Sequence, residues 1–160
     1  MNRRFLALLA TALMPTVAFG AEPQSQPATA SLSAETRAVL IEEMQAISEA
    51  MGRIHTAVVT GEHPTVAEEA RNIHDSFVLQ QELSDAQREE IGNELPPEFI
   101  KADRAFHVLA DKLAQAGENG NPALERLWFQ EMTRACQACH TDYAGARFPG
   151  LVPDESGAKE

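Results

Sequence analysis

The feature that most constrains this chain is a short motif near its C-terminal end, Cys136-Gln137-Ala138-Cys139-His140. Two cysteines separated by two residues and followed directly by a histidine are typical of a site where haem is attached covalently. Each thiol would form a thioether with one haem vinyl group, and the imidazole of His140 would bind the iron. A chain with such a site must fold so that it covers a porphyrin.

Other sites can also be built from a Cys-x-x-Cys pair. In an exported protein the two thiols can form a disulfide or serve as a thiol oxidoreductase site, and cysteine and histidine together bind zinc. The pair in this chain lacks the strand-then-helix setting of a thioredoxin-like domain, and only three zinc ligands stand close together in the sequence. The sequence therefore favours haem attachment over both alternatives.

The first twenty residues have the pattern of a secretory signal peptide. Arg3 and Arg4 precede a short apolar run, and small residues lead up to Gly20. The apolar run is too short to span a bilayer and is broken by Pro15. We therefore predict that residues 1–20 are removed and that the mature protein is located in the periplasm.

The charge of the chain limits the classes of partner it can have. The net charge is −11 at neutral pH, and loss of the two N-terminal arginines makes the mature chain more acidic still. Such a chain is repelled by nucleic acid and by anionic lipid, so a protein partner is expected to be basic or to dock on a local patch. No second apolar stretch approaches membrane-spanning length, and we expect no membrane insertion.

Apolar residues recur at helical spacing through most of the chain, and no segment alternates with the period of a strand. The predicted helices cover residues 34–59, 65–79, 84–91, 97–116 and 122–144. Gly61, Gly92 and Gly117 are each predicted to end a helix. Four of these helices are long, which predicts an all-α fold, an antiparallel four-helix bundle with covalently bound haem. The predicted parts of the chain are the signal peptide 1–20, a flexible lead 21–32, the bundle domain 33–145 and a flexible tail 146–160.

The first helix has an apolar stripe on one side and charged residues on the other. The predicted core stripe consists of Leu40, Met44, Ile47, Met51, Ile54 and Val58. The charged side, predicted to be solvated, consists of Glu42, Glu43, Glu49 and Arg53. Two methionines are therefore expected to face the interior of the bundle.

With its haem motif inside the last of four helices, the chain resembles the class II c-type cytochromes, which include cytochrome c prime and its low-spin, methionine-ligated relatives. The resemblance rests on an exported chain of this size, four amphipathic helices and the run from Cys136 to Tyr143. It implies a haem within the bundle, thioether bonds at Cys136 and Cys139, and His140 as an axial ligand. The family often has a basic residue directly after the tyrosine, whereas this chain has Ala144.

The other side of the iron would be served from upstream, because the twenty residues after His140 contain neither methionine nor histidine. In the methionine-ligated relatives the distal ligand comes from the first helix, which makes Met44 the leading candidate and Met51 a weaker one. A vacant distal side is the other outcome. Four further histidines, predicted to be surface or interhelical hydrogen-bonding residues, are His55, His63, His74 and His107.

These features predict a monohaem c-type cytochrome that carries single electrons between redox partner proteins and is not an enzyme. A five-coordinate protein that binds a small diatomic gas, nitric oxide or carbon monoxide, is the alternative of the same class. A haem-free helical interaction module with a disulfide between Cys136 and Cys139 is the alternative of another class. The resemblance also implies that two copies can pair into a homodimer through their first two helices.

Overall fold

A computed structural model describes residues 26–76 and 83–153 of the chain. These residues form five α-helices and no strand, which confirms the all-α prediction. The helices are α1 (Ala34–Thr60), α2 (His63–Asp75), α3 (Asp85–Glu94), α4 (Pro97–Glu118) and α5 (Pro122–Ala144). The predicted signal peptide 1–20 lies outside the described residues, as does the predicted end of the second helix, residues 77–79.

Side-chain caps fix several helix ends where the sequence predicted them. The hydroxyl of Ser33 accepts a hydrogen bond from the Thr36 backbone N–H at the start of α1, and Gly61 ends that helix with φ 76°. A left-handed φ is accessible to glycine without steric cost, which is why glycine so often follows a helix. Asn121 caps α5 by accepting from two backbone N–H groups.

Two predicted helix stops were wrong, because Gly92 and Gly117 both lie inside helices. At Gly117 the reason is packing. A Cβ atom built there would stand 2.7 Å from the Ala67 backbone nitrogen and 2.9 Å from the His63 carbonyl oxygen. Gly117 therefore lets the backbone of α2 approach α4, and glycine serves at this position through its small size.

Contacts between side chains give the relative directions of the long helices. Two residues join α1 to α2, and the guanidinium of Arg53 pairs with both carboxylate oxygens of Glu69 at 2.6 and 2.9 Å, so the two helices form an antiparallel hairpin. Gly117 near the end of α4 lies against His63 at the start of α2. The α2–α4 pair is therefore antiparallel as well.

The pair α4 and α5 is also antiparallel. Phe99 in the first turn of α4 meets Tyr143 in the last turn of α5, with ring centroids 5.3 Å apart. Further along, the Lys112 ammonium lies 4.7 Å from the ring centre of Trp128. It follows that α1 and α5 run in opposite directions too, and these two helices touch more sparsely than the other neighbouring pairs.

Most of the buried side chains form one apolar cluster shared by α1, α2, α4 and α5. Its members are Ile47, Ala50, Ile54, Ala57, Val66, Ala70, Ile73, Phe106, Ala110, Leu113, Ala114 and Met132. A second, smaller cluster joins α3 to the starts of α1 and α4: Leu32, Leu40, Leu83, Ile91 and Leu95. The first cluster positions the last helix, and the second holds the connection between α2 and α4 against α1.

The predicted stripe of α1 was right at Leu40, Ile47 and Ile54 and wrong at Met44, whose residue surface is 42 % exposed. The prediction that Glu43 is solvated was also wrong, since it is only 4 % exposed. The physical reason is the direction in which α1 packs. Its Glu43 side faces α4, whereas Met44 lies on a side of α1 that is left exposed.

Both flanking segments carry short ordered elements that the sequence did not predict. A 3₁₀ helix spans Ala28–Ser31 within the predicted lead, and another spans Pro149–Leu151 within the predicted tail. Leu32 is buried in the smaller apolar cluster, which anchors the first of them. No helix among residues 26–76 and 83–153 is long and apolar enough to cross a bilayer.

Candidate haem attachment site

Cys136, Cys139 and His140 lie in the last three turns of α5. Residues three and four apart on a helix are neighbours, so the three side chains project from one face. All three are partly buried, and both cysteines are free thiols. The structure thus brings the predicted attachment residues together at a surface that a ligand can reach.

The environment of the two thiols does not activate them. Burial, followed by the neighbouring Cys139, raises the pKa of Cys136. Burial also raises the pKa of Cys139, with further contributions from the negative charges of Asp103 and Asp142. A thiol oxidoreductase needs a stabilised thiolate, which a cationic or helix N-terminal setting supplies. These thiols lie at a helix C-terminal end beside carboxylates, which is unfavourable for that chemistry.

The imidazole of His140 is held face to face with the ring of Phe148. The ring centroids are 4.2 Å apart and the planes differ by 10°. Burial, followed by the positive charge of Arg147, lowers the pKa of His140, which favours the neutral imidazole that binds metals. Among the described residues the ring nitrogens of His140 make no hydrogen bond.

Across from this face, α1 approaches α5 at a ring contact between His55 and Phe129, with centroids 5.9 Å apart. The two helices are antiparallel, and both Met44 and His140 lie eleven residues from this contact, on the same side of it. Eleven residues are about three helical turns and roughly 16 Å of rise, so each residue also returns to the face of its helix that bears the contact. Met44 therefore lies at the level of His140 and faces the same gap.

The α1 side of this gap is apolar and uncovered. Met44 is 42 % exposed and Ile41, one turn earlier, is 38 % exposed. Met51 lies further along the same face, where it is partly buried and packs against the main apolar cluster. The two methionines that the sequence singled out are thus in different environments, and only Met44 is exposed at the level of His140.

A buried polar cluster, which the sequence analysis missed, lies behind the attachment motif. It consists of Glu43 on α1 with Asp103 and His107 on α4. The Nε2 atom of His107 is 3.5 Å from a Glu43 carboxylate oxygen and 3.9 Å from an Asp103 oxygen. The negative charge of Asp103 contributes to the raised pKa of Cys139, so the cluster lies next to the motif. The i, i+4 spacing in the sequence indicates that Asp103 and His107 are neighbours on one helix. It cannot indicate Glu43, which reaches them only through the packing of α1 against α4.

Hydrogen bonding fixes the tautomer of His107. Its Nδ1 lies 2.7 Å from the Ile73 carbonyl oxygen, which can only accept, so Nδ1 carries a proton. Burial is the main cause that lowers the pKa of His107, and burial raises the pKa of Asp103 to about 6. Burial therefore disfavours the charged form of each of these two groups.

The remaining histidines occupy interhelical or surface positions. His63 lies 2.7 Å from the carboxylate of the buried Glu125, and His74 donates from Nδ1 to the His107 carbonyl oxygen at 3.1 Å. His55 is exposed beside Phe129. None of the three faces the gap at the level of His140.

The residues around the motif fit a covalently attached haem. Cys136 and Cys139 are accessible on one face, the ring nitrogens of His140 are free to bind, and the apolar side chains of Ile41 and Met44 stand uncovered on the opposite helix. Within the described part of the chain, no group of three or more His, Cys, Asp or Glu side chains is arranged to hold a metal ion.

Comparison with known proteins found no similar protein. No family model matches the chain, and no curated protein or solved structure matches it.

Proposed function

We propose that the mature protein is a periplasmic monohaem c-type cytochrome that carries single electrons. Cys136 and Cys139 would hold the haem through thioethers, and His140 would be its proximal ligand. The observation that carries this proposal is the pairing of two surfaces: a half-buried Cys-x-x-Cys-His face on α5, and an uncovered apolar face on α1 at the same level. When bound, haem supplies a one-electron couple between ferric and ferrous iron.

The proposed seat lies between α1 and α5, inside an antiparallel four-helix bundle formed by α1, α2, α4 and α5. Sparse contact between α1 and α5 supports this location, because a flat group would separate these two helices more easily than the tightly packed pairs. Ile41 and Met44 would lose exposed apolar surface to the porphyrin, which is favourable by about 25 cal/mol per Å². The same burial would keep water away from the iron.

Met44 is the proposed distal ligand, with Met51 the weaker candidate. Met44 is exposed toward the gap at the level of His140, whereas Met51 packs against the main apolar cluster. A thioether opposite an imidazole raises the reduction potential. Two fixed axial ligands would also leave the site nearly unchanged between the two oxidation states, which suits an electron carrier.

One observation also favours a five-coordinate, gas-binding protein. Met44 is 42 % exposed, so neighbouring groups hold its side chain only in part. If Met44 stays in solvent, the distal side is lined by apolar groups such as Ile41, and a neutral diatomic molecule can bind there. Water and anions would find no hydrogen-bond donor on that lining.

The acidic character of the chain supports docking to a basic redox partner. With a net charge of −11 before export, and more after it, association with a basic protein would be accelerated by long-range attraction. Salt would weaken this attraction because exposed charges are screened beyond about 8 Å at physiological ionic strength.

Visible absorption of the exported protein tests the proposal. The full chain is produced in a bacterium that has periplasmic haem-maturation machinery, beside a variant with Cys136→Ala and Cys139→Ala. The wild type should show a Soret band that the variant lacks. A wild type without this band, with a disulfide between the cysteines, would favour the haem-free interaction module.

Two matched variants separate the ligand alternatives. Met44→Ala should convert a six-coordinate spectrum to a five-coordinate one whose ferrous form binds carbon monoxide, whereas Met51→Ala should keep the wild-type spectrum. If the wild type itself binds carbon monoxide at once and Met44→Ala changes nothing, the gas-binding alternative holds and Met44 is not a ligand.

A further inference from the structure

The C-terminal turn after α5 folds back against the helix that bears the attachment motif. The Thr141 hydroxyl donates chiefly to the Gln137 carbonyl oxygen at 2.8 Å, and the Leu151 carbonyl oxygen lies 3.4 Å from the same hydroxyl. Val152 packs so closely on Gly145 that a Cβ there would be 3.0 Å from the valine methyl group. The Phe148 backbone N–H donates to the Ala144 and Gly145 carbonyl oxygens. Phe148 therefore has a fixed backbone rather than belonging to a loose tail.

This turn places the ring of Phe148 flat on one face of the His140 imidazole, at 4.2 Å and 10°. Rotation of the imidazole about its Cβ–Cγ bond would drive it into the phenyl ring. Because Phe148 stacks on the face of the imidazole, the edge of the imidazole that carries the two nitrogens stays uncovered. Phe148 thus restricts the orientation of the imidazole without occupying the position of a metal.

Metal-binding histidines almost always have their second ring N–H held by a carboxylate, a carbonyl or water, and this bond fixes the ring plane. Among the residues that the structure describes, His140 has no such partner. Stacking by Phe148 is the contact that remains to orient the ring. Aromatic stacking can restrict a ring plane in this way because its dispersion contacts are lost on tilting.

We propose that Phe148 is a positioning residue for the proximal ligand: by stacking on the His140 imidazole it sets the plane of that ring relative to the porphyrin. This inference rests on the proposed haem attachment. It adds a role for a residue eight positions beyond the motif, in a segment that the sequence predicted to be a flexible tail. The orientation of an axial imidazole distributes unpaired spin unevenly over the four pyrroles of oxidised haem.

Proton NMR of the oxidised haem protein measures that orientation through the shifts of the four haem methyl groups. Phe148→Ala should change their order or their spread, because the imidazole is freed to turn. Phe148→Trp, which keeps a stacking surface, should restore most of the wild-type pattern. Val152→Ala removes apolar contact from the same turn but not the stacked ring, and should leave the pattern unchanged.

The outcomes separate this inference from the proposal beneath it. If haem attaches and Phe148→Ala differs from the wild type no more than Val152→Ala does, Phe148 does not position the ligand, and the cytochrome proposal stands. If all turn variants change the pattern equally, the turn acts only as packing and the inference is wrong. If no haem attaches to the wild type, both fail together.

Discussion

Replacing Asp103 by asparagine should stabilise the protein more at neutral pH than at acidic pH. The carboxyl is 9 % exposed, and burial raises its pKa to about 6 from the ordinary 3.8. In the folded state the carboxyl therefore stays mostly neutral up to about pH 6. Above about pH 6 the folded protein must hold a buried charge that the unfolded chain solvates freely, and this cost disappears as the pH falls toward 4.

The size of the effect follows from the shift. A change of about two pKa units corresponds to about 3 kcal/mol of unfolding free energy. Asparagine has nearly the same shape and no charge, so Asp103→Asn should raise the free energy of unfolding by up to about 3 kcal/mol at pH 7.5 and by about 1 kcal/mol at pH 4.5. Because Glu43 and His107 lie in the same cluster, their charges are coupled to that of Asp103 and affect the size of the gain.

Urea unfolding followed by circular dichroism, at the two pH values, measures this difference. The matched control is Glu42→Gln, an exposed carboxylate beside Glu43 on α1, which should show little difference at either pH. An Asp103→Asn protein that gains nothing at pH 7.5, or gains equally at both values, would show that Asp103 carries no burial penalty.

Two further pairs of substitutions test the packing of the helices by thermal or urea unfolding. Gly117→Ala should lower the free energy of unfolding by about 1–3 kcal/mol, because the new Cβ would meet the Ala67 nitrogen at 2.7 Å. Gly92→Ala, with nothing within 4 Å of the new atom, should raise the free energy of unfolding by roughly 0.5–1 kcal/mol. Equal effects would contradict the close approach of α2 to α4. Leu113→Ala, in the fully buried core, should cost about 2–5 kcal/mol, whereas Leu127→Ala, 43 % exposed, should be nearly neutral; a costly Leu127→Ala would show that this surface is covered.

Local signals in the sequence were sufficient to predict the helices. Caps such as Ser33, Gly61 and Asn121 act through hydrogen bonds or a φ value within a few residues, so their meaning does not depend on the rest of the fold. The attachment motif is equally local, because Cys136 and His140 lie one turn apart on the same helix.

The residues that sequence reasoning misplaced depend on partners far along the chain. Glu43 was predicted to be solvated because it was assigned to the charged side opposite the apolar stripe, yet it is buried against His107, sixty-four residues away. Met44 was predicted to be buried because it is apolar and on a stripe, yet α1 turns that side toward the gap beside α5. Helical periodicity shows which residues share a face, and tertiary packing decides which face is covered.

The position of Phe148 was also mispredicted, because it depends on how the chain folds back and not on a local sequence pattern. Proline, glycine and mixed charge predicted a flexible tail, and no local pattern indicates a ring stacked on His140. Backbone hydrogen bonds hold the turn, and Gly145 leaves room for Val152 to pack against the end of α5. A glycine directly after a predicted helix, followed by an aromatic residue and proline, was the available signal that the chain folds back.

Mass spectrometry of the exported wild-type protein under denaturing conditions tests the central claim most directly. The mature chain should carry the added mass of one haem, and digestion should place it on the peptide that contains Cys136 and Cys139. A mature chain without that mass, after production alongside a known c-type cytochrome that does acquire its haem, would contradict the assignment of this motif to haem attachment.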